Sequence, residues 1–153
     1  MNGSIFLIRH AQAGDRRHWE DLDLLRPLNR AGSRQAEALV GLLGEAAITR
    51  LVSSPYVRCV QTLEPVAADR GLPIEIADEL AEGTLTERAI TLLERVEPGA
   101  ALCSHGDVIE GSLAAFRRRG MVADGRFESA KGSVWELRRE HGAIVSGRYL
   151  PPP

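Results

Sequence analysis

Apolar positions come in short bursts along this chain, and most bursts stop abruptly at charged or polar residues. Ile5-Phe6-Leu7-Ile8 is a continuous apolar run that ends in Arg9-His10, and it predicts a buried first strand. The polar segment after it, "AQAGDRRHWEDLDLLRP", has no clean period and reads as a long loop or irregular helix. Asn29 is placed to cap a helix in which Ala36, Leu39, Val40 and Leu43 share one face. "ITRLVSS" predicts a second strand. Ser54-Pro55 then reads as the cap and first turn of a helix running to Gly71, kinked at Pro65.

"LPIEIA" predicts a third strand at a sheet edge, and "LTERAITLLERV" a helix that Pro98-Gly99 breaks. "AALCS" predicts a buried strand, followed by a helix over "HGDVIEGSLAAFRRRG" with Gly120 as its stop. "SVWELRRE" and "AIVSGRYL" predict two strands around a His141-Gly142 turn. Alternating strands and helices imply an α/β protein, with three layers (α/β/α) and a mainly parallel central sheet. The closing hairpin adds antiparallel character. With no linker, repeat or low-complexity segment, residues 1–153 read as one domain.

Charge narrows the classes of partner. A net charge of −2 gives no reason to expect nucleic acid or an anionic membrane. No stretch has the apolar length of a membrane span, and the N-terminus lacks a leader pattern, so a cytoplasmic location is expected. The cations are almost all arginine, Lys131 being the one lysine, and the arginine fork suits phosphate. Cys59 and Cys103 have no metal-ligand spacing and read as core thiols. Histidine and carboxylate do not recur at ligand spacing, so neither metal nor cofactor is expected.

Three strand ends carry the chemistry: Arg9-His10, Ser53-Ser54-Pro55 with Arg58, and Ser104-His105-Gly106. Carboxyl ends of parallel strands line one edge of an open sheet, where ligands bind. Two arginines and two histidines gathered there, near helix N-termini, make a cationic site for a phosphoryl group.

"LIRHAQAG", "SSPYVRCVQT" and "CSHGDVI" together resemble the histidine phosphatase superfamily, with its phosphoglycerate-mutase-like fold. The family signature is Arg-His-Gly, and this chain has Arg9-His10-Ala11, which keeps a small residue. "DLDLLRPLNRAGSRQA" and the short length point to the small bacterial branch that includes phosphohistidine phosphatases.

The resemblance implies that His10 attacks phosphorus, Arg9 and Arg58 clamp the non-bridging oxygens, and His105 binds the phosphoryl group, preferably as a cation. Gly106 would let the backbone approach closely. An imidazole with its ordinary pKa of about 6.5 is a nucleophile at neutral pH without an activating base. Its second nitrogen would donate to a backbone carbonyl. The family places a general acid in a Leu-x-Glu setting, and Leu80-Ala81-Glu82 offers Glu82, with Glu79 and Glu87 as rivals. Arg16 falls near a family phosphate contact and is a candidate substrate-binding residue, weighed evenly against a solvated loop charge. Asp23 and Arg26 read as a loop-fixing pair, and Trp19 as a rim residue.

The expected activity is metal-independent hydrolysis of a phosphate monoester or phosphohistidine, through a phosphohistidine enzyme. The expected partner is a phosphorylated small molecule or a phosphohistidine protein. A mutase and a non-catalytic phospho-ligand module are the rivals; the first needs extra segments over the site, the second would lack His10.

Overall fold

The computed structural model describes residues 2–124 and 127–153. Among the described residues, strands β1 (Gly3–Arg9), β2 (Arg50–Ser53), β3 (Ile74–Ile76), β4 (Ala100–Ser104), β5 (Val122–Asp124), β6 (Val134–Glu140) and β7 (Ala143–Leu150) form one sheet, ordered β3-β2-β4-β1-β6-β7-β5. Helices α1 (Arg30–Leu43), α2 (Val57–Arg70), α3 (Thr86–Arg95) and α4 (Gly106–Arg118) cover it. β3, β2, β4 and β1 run parallel, whereas β6 lies antiparallel to both β1 and β7. Short β5, which the sequence pattern did not indicate, pairs parallel with β7 at the far edge.

The continuous apolar runs are explained by burial on both faces. In β1, Ile5 and Leu7 enter the core shared with α3 and α4, while Phe6 and Ile8 enter the core shared with α1 and α2. β4 divides likewise, with Ala100 and Leu102 on one side and Ala101 and Cys103 on the other. Alternate side chains therefore leave no polar face to place, and both strands read as unbroken apolar sequence. Cys59 and Cys103 are free, buried thiols, as expected.

Local signals mostly act as read. The Asn29 side chain accepts from Gly32 N at 2.8 Å and caps α1. His141 (φ 50°) and Gly142 (φ 79°) make the two-residue turn between β6 and β7. One reading changes. α2 starts at Val57 with Tyr56 at the N-cap position, not at Ser54-Pro55, and the Ser54 hydroxyl accepts from Tyr56 N at 3.2 Å just before it. The helix runs past Pro65 to Arg70, and Gly71 ends it, as expected, in the left-handed region at φ 64°. No helix among the described residues is long and apolar enough to cross a membrane.

α1 holds the segment after β1 by close backbone contact. Asn29 N donates to Gln12 O at 3.1 Å, and a Cβ on Gly32 would lie 1.8 Å from that same oxygen. Neither atom belongs to a flexible side chain, so the helix or the segment must move. Gly32→Ala should therefore destabilise the fold by roughly 3 kcal/mol, read as a lower urea midpoint at unchanged slope.

Candidate active site

The order β2-β4-β1 brings the three chemical segments side by side. Arg9 pairs in register with Ser104, and Ser53 with Cys103. Beyond the paired residues, His10 N donates to Ser104 O at 3.1 Å and Ser54 N to Cys103 O at 3.0 Å. The strand ends are thus level, and the residues just past them face one another.

His10 is buried. Its Nδ1 lies 2.8 Å from Ala11 O, and a carbonyl only accepts, so Nδ1 carries the proton. Nε2 is left with a lone pair. Ala11 N donates in turn to Thr62 Oγ1 at 2.9 Å, and that hydroxyl donates to Arg58 O at 2.7 Å, tying the His10 turn to the first turns of α2.

Arg9 donates from Nη1 to Ser129 O at 2.6 Å, and its guanidinium passes so close to α4 that a Cβ on Gly106 would meet it at 3.0 Å. The small residue expected at 106 is thus needed for Arg9 itself. Arg58 has no exposed surface; Nη1 donates to Asp23 O at 2.9 Å and Nη2 to Asp23 Oδ2 at 3.0 Å. Arg9 Nε, Arg58 Nε and His105 Nδ1 are buried polar atoms with no hydrogen-bond partner. Buried donors are ordinarily satisfied, and their gathering here suits an anion with several acceptor oxygens.

A cavity of about 380 Å³ opens over this floor, lined by Arg9, His10, Arg16, Arg26, Glu82, Gly106, Asp107 and Lys131. The structure brings Glu82 to it and not its rivals. Glu79 and Glu87 line a different cavity against α3, where Glu79 faces Arg88 at 3.7 Å. Glu82 lies 3.2 Å from Arg16 Nη2, 3.4 Å from Arg58 Nη2 and 3.9 Å from His105 Nδ1. Arg16 is therefore paired at the cavity, while Arg17 turns away towards Asp15. The Trp19 indole donates to Leu22 O at 2.9 Å and does not line the cavity.

Sequence reasoning passed over several lining residues. Asp23 and Arg26 do fix the loop, through a 2.9 Å bond and a donation from Arg26 Nη1 to Gly14 O, but Asp23 also orients Arg58. Burial pulls the Asp23 carboxyl up, and the bonds from Arg26 and Arg58 overcome this and hold it at about 2. Asp107 accepts from Gly83 N at 2.9 Å and so faces the cavity beside Glu82; its place two residues after His105 was the available signal. Lys131 enters from the segment that brackets Arg9 and His10, with Gly132 N 3.2 Å from both their carbonyls. Burial, then Arg9 and Arg26, lower its pKa.

Both histidines are held neutral. Burial, with Arg58, Arg9 and Lys131 acting against the Ala11 bond, lowers His10 from 6.5 to about 4. Burial, then His10 and Arg58, lower His105 from 6.5 to about 3. His105 was expected to bind the phosphoryl group preferably as a cation; burial and the neighbouring His10 and Arg58 push it the other way, towards the neutral imidazole. Unfolded histidines take up protons near 6.5 while these two do not, so the unfolded state binds more protons below that pH. Stability should fall as pH drops from about 6.5 towards 4. Urea midpoints across that range, compared with a His10→Asn, His105→Asn double variant, check this; the variant should show the flatter profile.

An α/β sheet with this cluster past the carboxyl ends of three neighbouring strands has the architecture of the histidine phosphatases. The model of the histidine phosphatase superfamily (branch 1) matches residues 5–89, and the chain belongs to that superfamily. The 8-oxo-(d)GTP phosphatase of Mycolicibacterium smegmatis is 35% identical over 163 residues, covering 98% of this chain and 48% of that protein. This chain spans about half the length of that curated relative. The protein histidine phosphatase SixA, solved with tungstate, superposes with a TM-score of 0.76 at 21% identity, over 97% of this chain and 94% of its own. A mycobacterial glucosyl-3-phosphoglycerate phosphatase superposes with a TM-score of 0.68 at 15% identity, over 97% of each chain. At these identities the two structures establish the fold.

Proposed function

We propose that this chain hydrolyses phosphate esters or phosphoramidates through a phosphohistidine formed on His10. The observation that carries this reading is the 2.8 Å bond from His10 Nδ1 to Ala11 O, which leaves the Nε2 lone pair beside two arginines. Nε2 attacks phosphorus and the bond to the leaving group breaks. Water then attacks phosphorus, the P–N bond to Nε2 breaks, and inorganic phosphate leaves. Arg9 and Arg58 neutralise the equatorial oxygens in both steps. His105 supplies a further contact to those oxygens, and Glu82 gives a proton to the leaving oxygen and recovers one from water.

On substrate, the M. smegmatis relative favours nucleoside phosphates as the first class to assay. Phosphohistidine proteins form the second class, after the SixA fold. The experiment is rapid acid-free quenching with phosphorus-labelled substrate. An acid-labile, alkali-stable label on His10 is expected, together with phosphate release from p-nitrophenyl phosphate without any bisphosphate activator. Phosphate release with no labelled enzyme would point to direct attack by water and sink the proposal. Dependence on a bisphosphate would favour the mutase instead.

Arg58 has no surface exposure and its guanidinium is fixed by Asp23, so its charge is in place before substrate arrives. Arg58→Ala should lower kcat/KM by about a hundredfold, since a preorganised donor to developing charge is lost. Asp23→Asn should lower it less, because the charge remains but is held more loosely. Steady-state kinetics on p-nitrophenyl phosphate measures both.

A further inference from the structure

The Ser54 hydroxyl is fully buried and has two polar neighbours. Tyr56 N–H donates to Oγ at 3.2 Å, and Oγ lies 2.9 Å from His105 Nε2. An amide N–H can only donate, so Oγ accepts in the first bond. A hydroxyl has one proton to place. Directed at Nε2, that proton is satisfied. If Nε2 carried a proton instead, Oγ would accept twice and its own proton would be buried without an acceptor among the described residues, which is costly. The other neighbour of Nε2, Cys59 Sγ at 3.6 Å, is a weak partner. Nε2 is therefore the accepting nitrogen, and a neutral imidazole then holds its proton on Nδ1.

We propose that Ser54 is a positioning residue that fixes His105 as the Nδ1–H tautomer, so that His105 meets a phosphoryl oxygen as a neutral donor and not as an imidazolium. The proposal rests on reading the site as a phosphoryl pocket. Nδ1 is buried, has no hydrogen-bond partner, and lies 3.9 Å from Oε1 of Glu82, which lines the cavity. The surroundings divide on a second proton. His10, Arg58 and Arg9 oppose it, Asp23 favours it, and burial outweighs them all. Glu82, 3.9 Å from Nδ1, also favours the imidazolium, as a carboxylate beside either ring nitrogen does, so the neutral form rests on burial, the cationic neighbours and the Ser54 hydroxyl proton at Nε2. The Tyr56 ring, 4.7 Å away and edge-on, fixes the plane of the imidazole.

The two imidazoles are then matched opposites. Their rings meet at 5.3 Å, and each carries its proton on Nδ1. In His10 that proton is spent on a carbonyl and the lone pair is offered; in His105 the lone pair is spent on a hydroxyl and the proton is offered. One backbone acceptor and one side-chain donor thus assign nucleophile and oxyanion donor within a single neutral pair.

The test is nitrogen-15 NMR of histidine-labelled protein at pH 7, with and without saturating inorganic phosphate. His105 is expected to show a protonated Nδ1 and an unprotonated Nε2 in both states. An Nε2–H tautomer in the free protein, or an imidazolium in the phosphate-bound one, overturns the proposal. Ser54→Ala should introduce an Nε2–H population and weaken inhibition by phosphate about tenfold, the loss expected for one hydrogen bond. Cys59→Ala should leave the tautomer unchanged. If Cys59→Ala moves it and Ser54→Ala does not, Ser54 is not the determinant. Failure to find a phosphorylated His10 would remove the proposed hydrolytic mechanism without altering these spectra, so the two readings fail separately.

Discussion

His10→Asn should lower turnover on the order of ten-thousandfold or more and leave no labelled enzyme, while the urea midpoint at pH 7.5 stays near that of the parent. Asparagine can keep a donor near Ala11 O, so the turn after β1 retains its hydrogen bond. What it lacks is a nucleophilic nitrogen. The residual rate should reflect the arginines alone, which still bind and polarise a phosphoryl group. Stopped assays over hours, with active-site titration to exclude parent enzyme, measure it. A variant keeping more than a few per cent of parent activity would remove His10 from the chemistry. The same variant separates the two rivals that share this fold. A binding module would lose ligand affinity without any turnover to lose, and a mutase would lose exchange between substrates.

Much of this was legible because the site is built at strand ends. Ile5 to Ile8 and Ala100 to Cys103 are apolar at every position since both faces are covered, and the first polar residue after each run must lie at the sheet edge. Residues 9–10, 53–54 and 104–105 could be gathered on that logic alone, although the strand order that makes them neighbours is not encoded locally. Asn29, Gly71 and His141-Gly142 acted through local chemistry and were readable for that reason. Ser54 was misread because a buried serine before proline looks like a cap, while its partner, His105, lies 51 residues away. β5 was missed because a three-residue edge strand, with Val122 exposed, has too little period to detect. Lys131, Asp107 and Asp23 were missed as lining or orienting groups because single charges in loops and first turns carry no pattern. Only the tertiary arrangement turns them inwards. The downward shift of the His105 pKa was likewise invisible, since burial is its main cause and burial of a strand-end residue depends on what packs above it.

The last prediction concerns Glu82, the choice among three carboxylates that the sequence left open. Glu82→Gln should lower kcat for alkyl phosphates by about a thousandfold and for p-nitrophenyl phosphate by less than about tenfold. An alkoxide is strongly basic and cannot leave without a proton, whereas nitrophenolate departs nearly unaided. Glutamine keeps the size of the side chain and one oxygen that can accept from Arg16 and Arg58, though not the ion pairs; lost positioning should affect both substrates alike and lost acidity only the first. Glu79→Gln and Glu87→Gln should change neither rate, because both residues line the cavity against α3. Asp107→Asn is the more demanding comparison. Asp107 shares the cavity, and its bond to Gly83 N holds the backbone next to Glu82. If Asp107 acts only by placing Glu82, its variant should lose activity equally on both leaving groups. A loss confined to alkyl phosphates in Asp107→Asn, with none in Glu82→Gln, would transfer the acid to Asp107. Indifference to the leaving group in all four variants would mean that the site has no dedicated acid, and would shift the substrate towards phosphoramidates, whose leaving nitrogen can arrive already protonated.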